Sequence, residues 1–340
     1  MVAAMSDRNR RMILAERPTG MVNEQTVRLE DAEVPVPGAG EALAKVRYVS
    51  IDPTIRTWMD DAPGYLPPIG IGEVVRSGGV AEVLSSDCDL YAPGDLLFGM
   101  TGWQEYVIAD AGEHMMQKLP AGVAPTAALG VLGINGMTAY FGLIDVGQIK
   151  QGDVVVVSGA AGATGSSAGQ IAKLKGAAKV IGIAGGPQKC AWIVERLGFD
   201  AAIDYKGEDV AARLRELCPD GIDLYFDNVG GEILNACLAQ LALRGRIVLC
   251  GAISSYNEGR GRAAGPSNYG ALIIRRGRME GFIILDYFDR FPQAQAELAG
   301  WIAAGQVKGA EHIVEGIEHA PDALNLLFTG GNTGKVIVQV

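Results

Sequence analysis

The sequence predicts an α/β fold in two parts: a doubly wound parallel sheet in the second half, preceded by an irregular β half that the C-terminus rejoins. Three observations predict it. Residues 154–157 are all valine, a run too β-branched for a comfortable helix and apolar on both faces, as a buried parallel strand must be. Beyond that run, short apolar stretches alternate with helical periods to about residue 304, the pattern of successive βα units. Residues up to about 130 are instead rich in glycine, proline and short β-branched runs, without long helical periodicity.

In the β half, residues 28–36 and 41–49 read as strands separated by the turn Pro37-Gly38-Ala39-Gly40. Residues 72–75 and 96–98 read as further strands, the latter after Pro93-Gly94-Asp95. Residues 127–144 carry small and apolar side chains at helical spacing and are expected to join the two parts. Thr138 and Tyr140 are the polar exceptions there, and the simpler account is that they satisfy helix backbone or sit at an edge. After the valine run come a strand at 180–184, the turn Gly185-Gly186-Pro187 and a helix through Leu197. Residues 201–203, 222–226, 246–249 and 282–285 are further strand candidates, with helices near 210–217 and 232–241. Residues 257–277 have little apolar period and read as a long surface loop. Its Arg260, Arg262, Arg275, Arg276 and Arg278 could meet phosphates, though a solvated basic loop is the simpler reading. A helix from Phe291 to about Ala304 and another after Pro321 lead to the turn Gly330-Gly331-Asn332-Thr333-Gly334. The terminal strand 335–340 has no role in the parallel sheet and is expected to return to the first part, making it discontinuous.

Between the valine strand and the helix that follows lies Ala160-x-Gly162-x-x-Gly165, an alanine-for-glycine variant of the dinucleotide fingerprint. Small residues are needed there because the turn is tight, a pyrophosphate must approach the backbone, and the helix packs closely on the strand. Free N–H groups at the helix start then face the anion. Specificity is set at the end of the second strand, where an acid would bind the adenosine ribose 2′-hydroxyl. Residues 184–188 are Ala-Gly-Gly-Pro-Gln, with no acid, and Lys189 follows, able to neutralise a 2′-phosphate; Tyr205, after the third strand, can add a phenol. NADPH is therefore favoured over NADH.

Composition sets outer limits. A formal charge of -10 over 340 residues argues against nucleic acid or an anionic membrane held by general electrostatics. No run approaches a membrane span, and the first dozen residues carry charges rather than a signal-peptide core. Cys88, Cys190, Cys218, Cys237 and Cys250 are widely spaced, without a C-x-x-C pair, so free thiols in a reducing cytoplasm are expected. His114, His312 and His319 are scattered, and no metal is expected.

Several motifs recur in a recognisable order: Ser50-Ile51-Asp52-Pro53; Thr138-Ala139-Tyr140-Phe141-Gly142-Leu143; the fingerprint, continuing as Gly169-Gln170-Ile171-Ala172-Lys173-Leu174-Lys175-Gly176; Asp227-Asn228-Val229-Gly230-Gly231; Cys250-Gly251-Ala252-Ile253-Ser254-Ser255-Tyr256-Asn257; Gly281-Phe282-Ile283-Ile284; and Asn332. With these the chain resembles, over nearly its whole length, the zinc-independent medium-chain dehydrogenase/reductase superfamily. Within it the resemblance is to the prostaglandin (leukotriene) reductase branch and its bacterial curcumin-reductase-like members.

The resemblance implies a discontinuous GroES-like β domain over 1–131 and 305–340, a Rossmann-type domain over 132–304, a cleft between them and a homodimer. It implies that Gly162, Ala163, Thr164 and Gly165 face the pyrophosphate, and Lys189 and Tyr205 the 2′-phosphate. Asn228 with Cys250, Gly251, Ala252, Ile253, Ser254, Ser255 and Tyr256 would take the ribose and nicotinamide side, completed by Phe282, Ile283, Ile284 and Asn332. Asn228 could instead cap the following helix, and Cys250 could be a small buried hydrophobe. The implied activity is NADPH-dependent reduction of a carbon–carbon double bond conjugated to a carbonyl, with Tyr256 as candidate catalytic donor and solvent as the other source of the proton. A quinone reductase and a non-catalytic NADPH-binding sensor remain alternatives on the same fold. Two departures bear on substrate shape. The branch reads Asp-Pro-Tyr-Met-Arg where this chain has Asp52-Pro53-Thr54-Ile55-Arg56, and Met-Pro-Gly where it has Ile134-Asn135-Gly136. Zinc-dependent relatives place a Gly-His-Glu where this chain reads Ile69-Gly70-Ile71-Gly72-Glu73.

Overall fold

The valine run becomes the strand Val154–Ser158, inside a parallel sheet, in a computed structural model that describes residues 8–110, 116–259 and 264–340. His114, Arg260 and Arg262 lie outside the described residues. Among those residues the sheet runs, in spatial order, Ala201–Asp204, Lys179–Ala184, Val154–Ser158, Ile222–Asp227, Leu241–Leu249 and Arg278–Gly281, with every neighbouring pair parallel. Numbered along the chain this is 3-2-1-4-5-6, so the order reverses between Val154–Ser158 and Ile222–Asp227. A crevice opens at the carboxyl ends of the strands at such a reversal.

Why both faces of the central strand are apolar is visible in the packing. Val155 and Val157 point into a cluster with Phe141, Ile171, Phe226 and Leu298, whereas Val156 points the other way, among Ile181, Leu214, Tyr225 and Leu238. Alternation along a strand sends successive side chains to opposite faces, and each face here is covered by helices. Burying one such side chain contributes roughly 1.5–3 kcal/mol.

The first part is a sheet whose strands pair antiparallel except for Glu311–Glu315, which runs parallel to Lys335–Gln339. Among the described residues its path is Glu311–Glu315, Lys335–Gln339, Ala42–Ile51, Gly78–Ser86, Leu96–Met100 and Gln117–Lys118, with Tyr106–Ala109 added along Ala42–Ile51. Lys335–Gln339 pairs antiparallel with Ala42–Ile51, so the chain's last strand does return to the first sheet. A separate ribbon pairs Arg8–Leu14 with Val27–Glu33. Helices Pro125–Leu129 and Ile134–Phe141 connect the two sheets.

Some expected strands differ. Residues 72–75 form a turn in which the Glu73 carboxylate accepts the Gly70 N–H at 2.7 Å, leaving Val74 only an isolated bridge to Ile13. The last parallel strand is Arg278–Gly281, not 282–285; Ile284–Arg290 is a 3-10 turn. The apolar run there covers the sheet rather than joining it, with Phe282 and Tyr287 edge to face at 6.2 Å. The loop expected at 257–277 contains the short helix Ala271–Arg275.

Candidate active site

The fingerprint turn is held by backbone proximity. The helix Ala163–Leu174 starts at Gly162, and a Cβ on Gly165 would lie 2.3 Å from the Gly159 carbonyl oxygen, so only glycine permits the close approach of helix to strand end. The C-terminal turn closes over the same place. Gly334 N–H donates to the Ala161 carbonyl at 2.7 Å, and the Asn332 amide donates to the Gly334 carbonyl at 3.0 Å. Asn332 is thus spent on shaping the turn that abuts the fingerprint.

A second cluster lies at the ends of the neighbouring strands Lys179–Ala184 and Ala201–Asp204. Around Gly330, a Cβ would stand 3.5 Å from Lys206 Nζ, 3.7 Å from the Tyr205 hydroxyl and 3.9 Å from Lys189 Nζ. Lys189 donates to the Gly330 carbonyl at 3.0 Å. Burial, and then the neighbouring Lys206 ammonium, pull the Lys189 amine below its usual value. Two amines crowded beside a phenol form a pocket suited to a multiply charged anion, whose arrival would relieve the repulsion between them. Lys206 was not among the residues expected from the sequence, although a cation directly after Tyr205 was a readable signal.

On the other side of the fingerprint, the ends of Ile222–Asp227 and Leu241–Leu249 are knitted together. The Cys250 and Gly251 N–H groups donate to the Asp227 carbonyl at 2.9 and 3.0 Å, and Ile253 N–H to the Asn228 carbonyl at 3.2 Å. Ser254 Oγ donates to the Val229 carbonyl at 2.6 Å, and Ser255 Oγ to the Ala252 carbonyl at 2.9 Å. Buried Asp227 anchors the group: its Oδ1 accepts from Ser158 Oγ, the Tyr225 hydroxyl and the Val229 and Gly230 N–H groups at 2.7–2.9 Å. The Asn228 amide donates to the Ser158 carbonyl at 2.7 Å. It does not cap the helix Gly231–Ala239, whose cap is Gly230. It pins the fingerprint strand instead.

Tyr256 lies on the 3-10 turn Ile253–Glu258, packed against the first-part helix Thr54–Trp58. Ala252 N–H donates to its phenol oxygen at 3.1 Å. The phenol proton is therefore available to another acceptor. Burial, offset only in part by that N–H, pushes the Tyr256 phenol up to about 12, so it remains a neutral donor. Burial likewise pushes the Cys250 thiol up to about 12, which fits a packed side chain rather than a nucleophile. Across from Tyr256, the Tyr65 hydroxyl meets Thr54 Oγ1 at 2.6 Å and accepts from Trp58 Nε1 at 3.2 Å, an aromatic wall that the sequence reading missed.

Phe282 is turned partly inward: a Cβ on Gly142 would come within 2.9 Å of its ring. Ile283 and Ile284 lead into the 3-10 turn, with Ile284 against the core. Tyr140 is buried and donates to Glu297, well inside the helix packing, so it belongs to the core. Arg278 donates to the Val146 carbonyl and Arg276 to that of Ile274, so neither meets the turn. The Lys189 and Tyr256 clusters follow strands three positions apart in the sheet, or roughly 14 Å at the usual inter-strand spacing, with the fingerprint between them. That span suits an extended dinucleotide. Among the described residues no three His, Cys, Asp or Glu side chains come together as metal ligands, and no helix is long and apolar enough to cross a membrane.

Residues 10–118 match the family model described as the N-terminal domain of oxidoreductase, and residues 163–300 the one described as zinc-binding dehydrogenase. The chain is 45% identical to a putative NADP-dependent oxidoreductase of Bacillus subtilis over 330 residues, 96% of each chain. It is 41% identical to the NADPH-dependent curcumin reductase of Escherichia coli, over 98% of this chain and 97% of the relative. The crystal structure of CurA in complex with NADPH from Vibrio vulnificus superposes with a TM-score of 0.91 at 43% identity, covering 97% of this chain and 99% of that one.

Proposed function

The chain belongs to the medium-chain dehydrogenase/reductase superfamily, in its prostaglandin (leukotriene) reductase branch, and from that premise we propose that it reduces α,β-unsaturated ketones and aldehydes with NADPH. The observation that carries the reading is the Tyr256 phenol, half-buried and neutral, with its proton uncommitted. NADPH supplies a hydride, which the β carbon of the acceptor takes. The charge that reaches the carbonyl oxygen then needs a donor, and Tyr256 is placed to give one without itself ionising. The α carbon then takes its proton from solvent, either directly or through Tyr256, which solvent reprotonates. Incubation with enones and quinones side by side tests the assignment: preferential turnover of enones supports it, and turnover of quinones alone contradicts it.

In this reading the residues present fit the cofactor in three stretches. The glycine turn with Gly162, Ala163, Thr164 and Gly165 takes the pyrophosphate; Lys189, Tyr205 and Lys206 take the 2′-phosphate. Asn228, residues 250–256, residues 282–284 and Asn332 frame the nicotinamide end, largely through backbone that they hold in place. The two domains divide at 1–131 with 305–340 and at 132–304. The five cysteines are free thiols, which supports a reducing compartment.

A homodimer is part of the proposal. Among the described residues, Arg278–Gly281 is an edge strand of the parallel sheet, and the adjoining Ile273 and Ile274 are 77% and 72% exposed. An open edge beside bare apolar side chains is an aggregation hazard unless a partner covers it, and a two-fold copy is the simplest partner. Sedimentation velocity at micromolar concentration is expected to give a species of twice the chain mass; a monomer throughout would remove this part of the proposal.

A further inference from the structure

We infer that Asn135 is a positioning residue for the cofactor pyrophosphate, the link through which the ion pair between buried Lys335 and half-buried Asp52 aims the Thr164 hydroxyl at the anion. The inference rests on the NADPH reading and names a residue that the fingerprint does not contain.

The chain of contacts begins at Lys335, 2% exposed, whose ammonium donates to the Ile51 carbonyl at 2.9 Å and to Asp52 Oδ1 at 2.6 Å. Asp52 also accepts from Ser50 Oγ at 2.5 Å and from Asn135 Nδ2 at 3.1 Å. Burial alone would raise the Asp52 carboxyl, but Lys335 and these donors more than offset it and hold it below the usual range. It is therefore a carboxylate, which only accepts. That fixes the orientation of the Asn135 amide: its NH₂ faces Asp52, not its carbonyl. The same NH₂ reaches Thr164 Oγ1 at 3.3 Å.

A hydroxyl that accepts there still has one proton to give. Elsewhere on these helices that proton goes back to the backbone. Ser166 and Ser167 both donate to the Ala163 carbonyl, at 3.2 and 3.1 Å, and Thr138 to the Ile134 carbonyl at 2.6 Å. Thr164 makes no such bond among the contacts of its helix, whose first turn it occupies. Its proton is left for a ligand at the helix start, where N–H groups already favour an anion. Polarisation through the ion pair and the amide strengthens that donation.

The link is separable from the scaffold. The fingerprint is tied to the C-terminal strand independently by Gly334 N–H on the Ala161 carbonyl, and Lys335 and Asp52 remain paired without Asn135. The test is titration of the full-length protein with NADPH, and with adenosine 2′-monophosphate, which carries the 2′-phosphate and no pyrophosphate. Asn135→Ala and Thr164→Val are each expected to weaken NADPH about tenfold, the loss of one hydrogen bond to a charged group. The double variant should lose little more than either alone, because both break one chain. Thr164→Ser should bind NADPH like wild type, and adenosine 2′-monophosphate should bind every variant equally. Unchanged NADPH affinity in Asn135→Ala, additive losses in the double variant, or a parallel loss for adenosine 2′-monophosphate overturns the inference alone. Failure of the wild-type protein to bind NADPH overturns the cofactor reading and the inference with it.

Discussion

Replacing Lys189 and Lys206 together by alanine is expected to raise the Michaelis constant for NADPH about a hundredfold, while the constant for NADH moves little. A hydrogen bond to a charged group contributes about 1.5–3 kcal/mol, and two such contacts, discounted for the exposure of Lys206, amount to about 3 kcal/mol. Lys189→Ala alone should cost about tenfold, since Lys206 and Tyr205 remain around Gly330. The direction follows from the charge at the site: burial, and then the Lys206 ammonium, lowers Lys189 in the free protein, and an entering phosphate offsets both. The preference for NADPH should also shrink as ionic strength rises, because this end of the cleft is open to solvent. Steady-state kinetics with both coenzymes decides the matter. Equal losses for NADPH and NADH would mean that the two lysines do not read the 2′-phosphate.

The second large effect is expected at Tyr256. Tyr256→Phe keeps the ring and deletes only the hydroxyl, so kcat should fall about tenfold or more while NADPH affinity holds. The pH dependence has a definite sign. The phenol donates only while protonated, and burial has pushed it up to about 12, so its donor role persists throughout pH 6–10 and is lost only above that range. A plateau in kcat across that interval should therefore characterise the wild-type enzyme. A rate that survives in Phe but collapses in Ala would assign Tyr256 to closing the site by its ring alone.

Much of this was legible in the sequence because it rests on local rules. The valine run, the small-residue turn and the alternation after it encode the parallel sheet through side-chain period and steric tolerance, which a single stretch of chain displays. The grouping of Lys189 with Tyr205 was readable for the same reason, since each follows a strand end of the same sheet. What escaped was built from distant segments. The strands Gly78–Ser86 and Tyr106–Ala109 gain their partners only when the first sheet closes on Ala42–Ile51. Ion pairing between Asp52 and Lys335 joins residues at opposite ends of the chain, and nothing near either one announces it. Apolar residues 282–285 read as a strand because an apolar run fits a sheet and a cover over a sheet equally well. Asn228 reads equally as a helix cap, which Gly230 provides in its place, and its amide pins the fingerprint strand through Ser158, a contact that exists only once two strands lie side by side.

The central claim is that the chain transfers hydride to carbon in a conjugated double bond, with Tyr256 stabilising the oxygen that becomes negative. NADPH deuterated at the transferring position of the nicotinamide, mixed with an aryl enone and the wild-type protein, tests it in one step. The expected product is a saturated ketone carrying deuterium at the β carbon. An allylic alcohol with deuterium on the former carbonyl carbon, or oxidation of NADPH without any reduced enone, would contradict it.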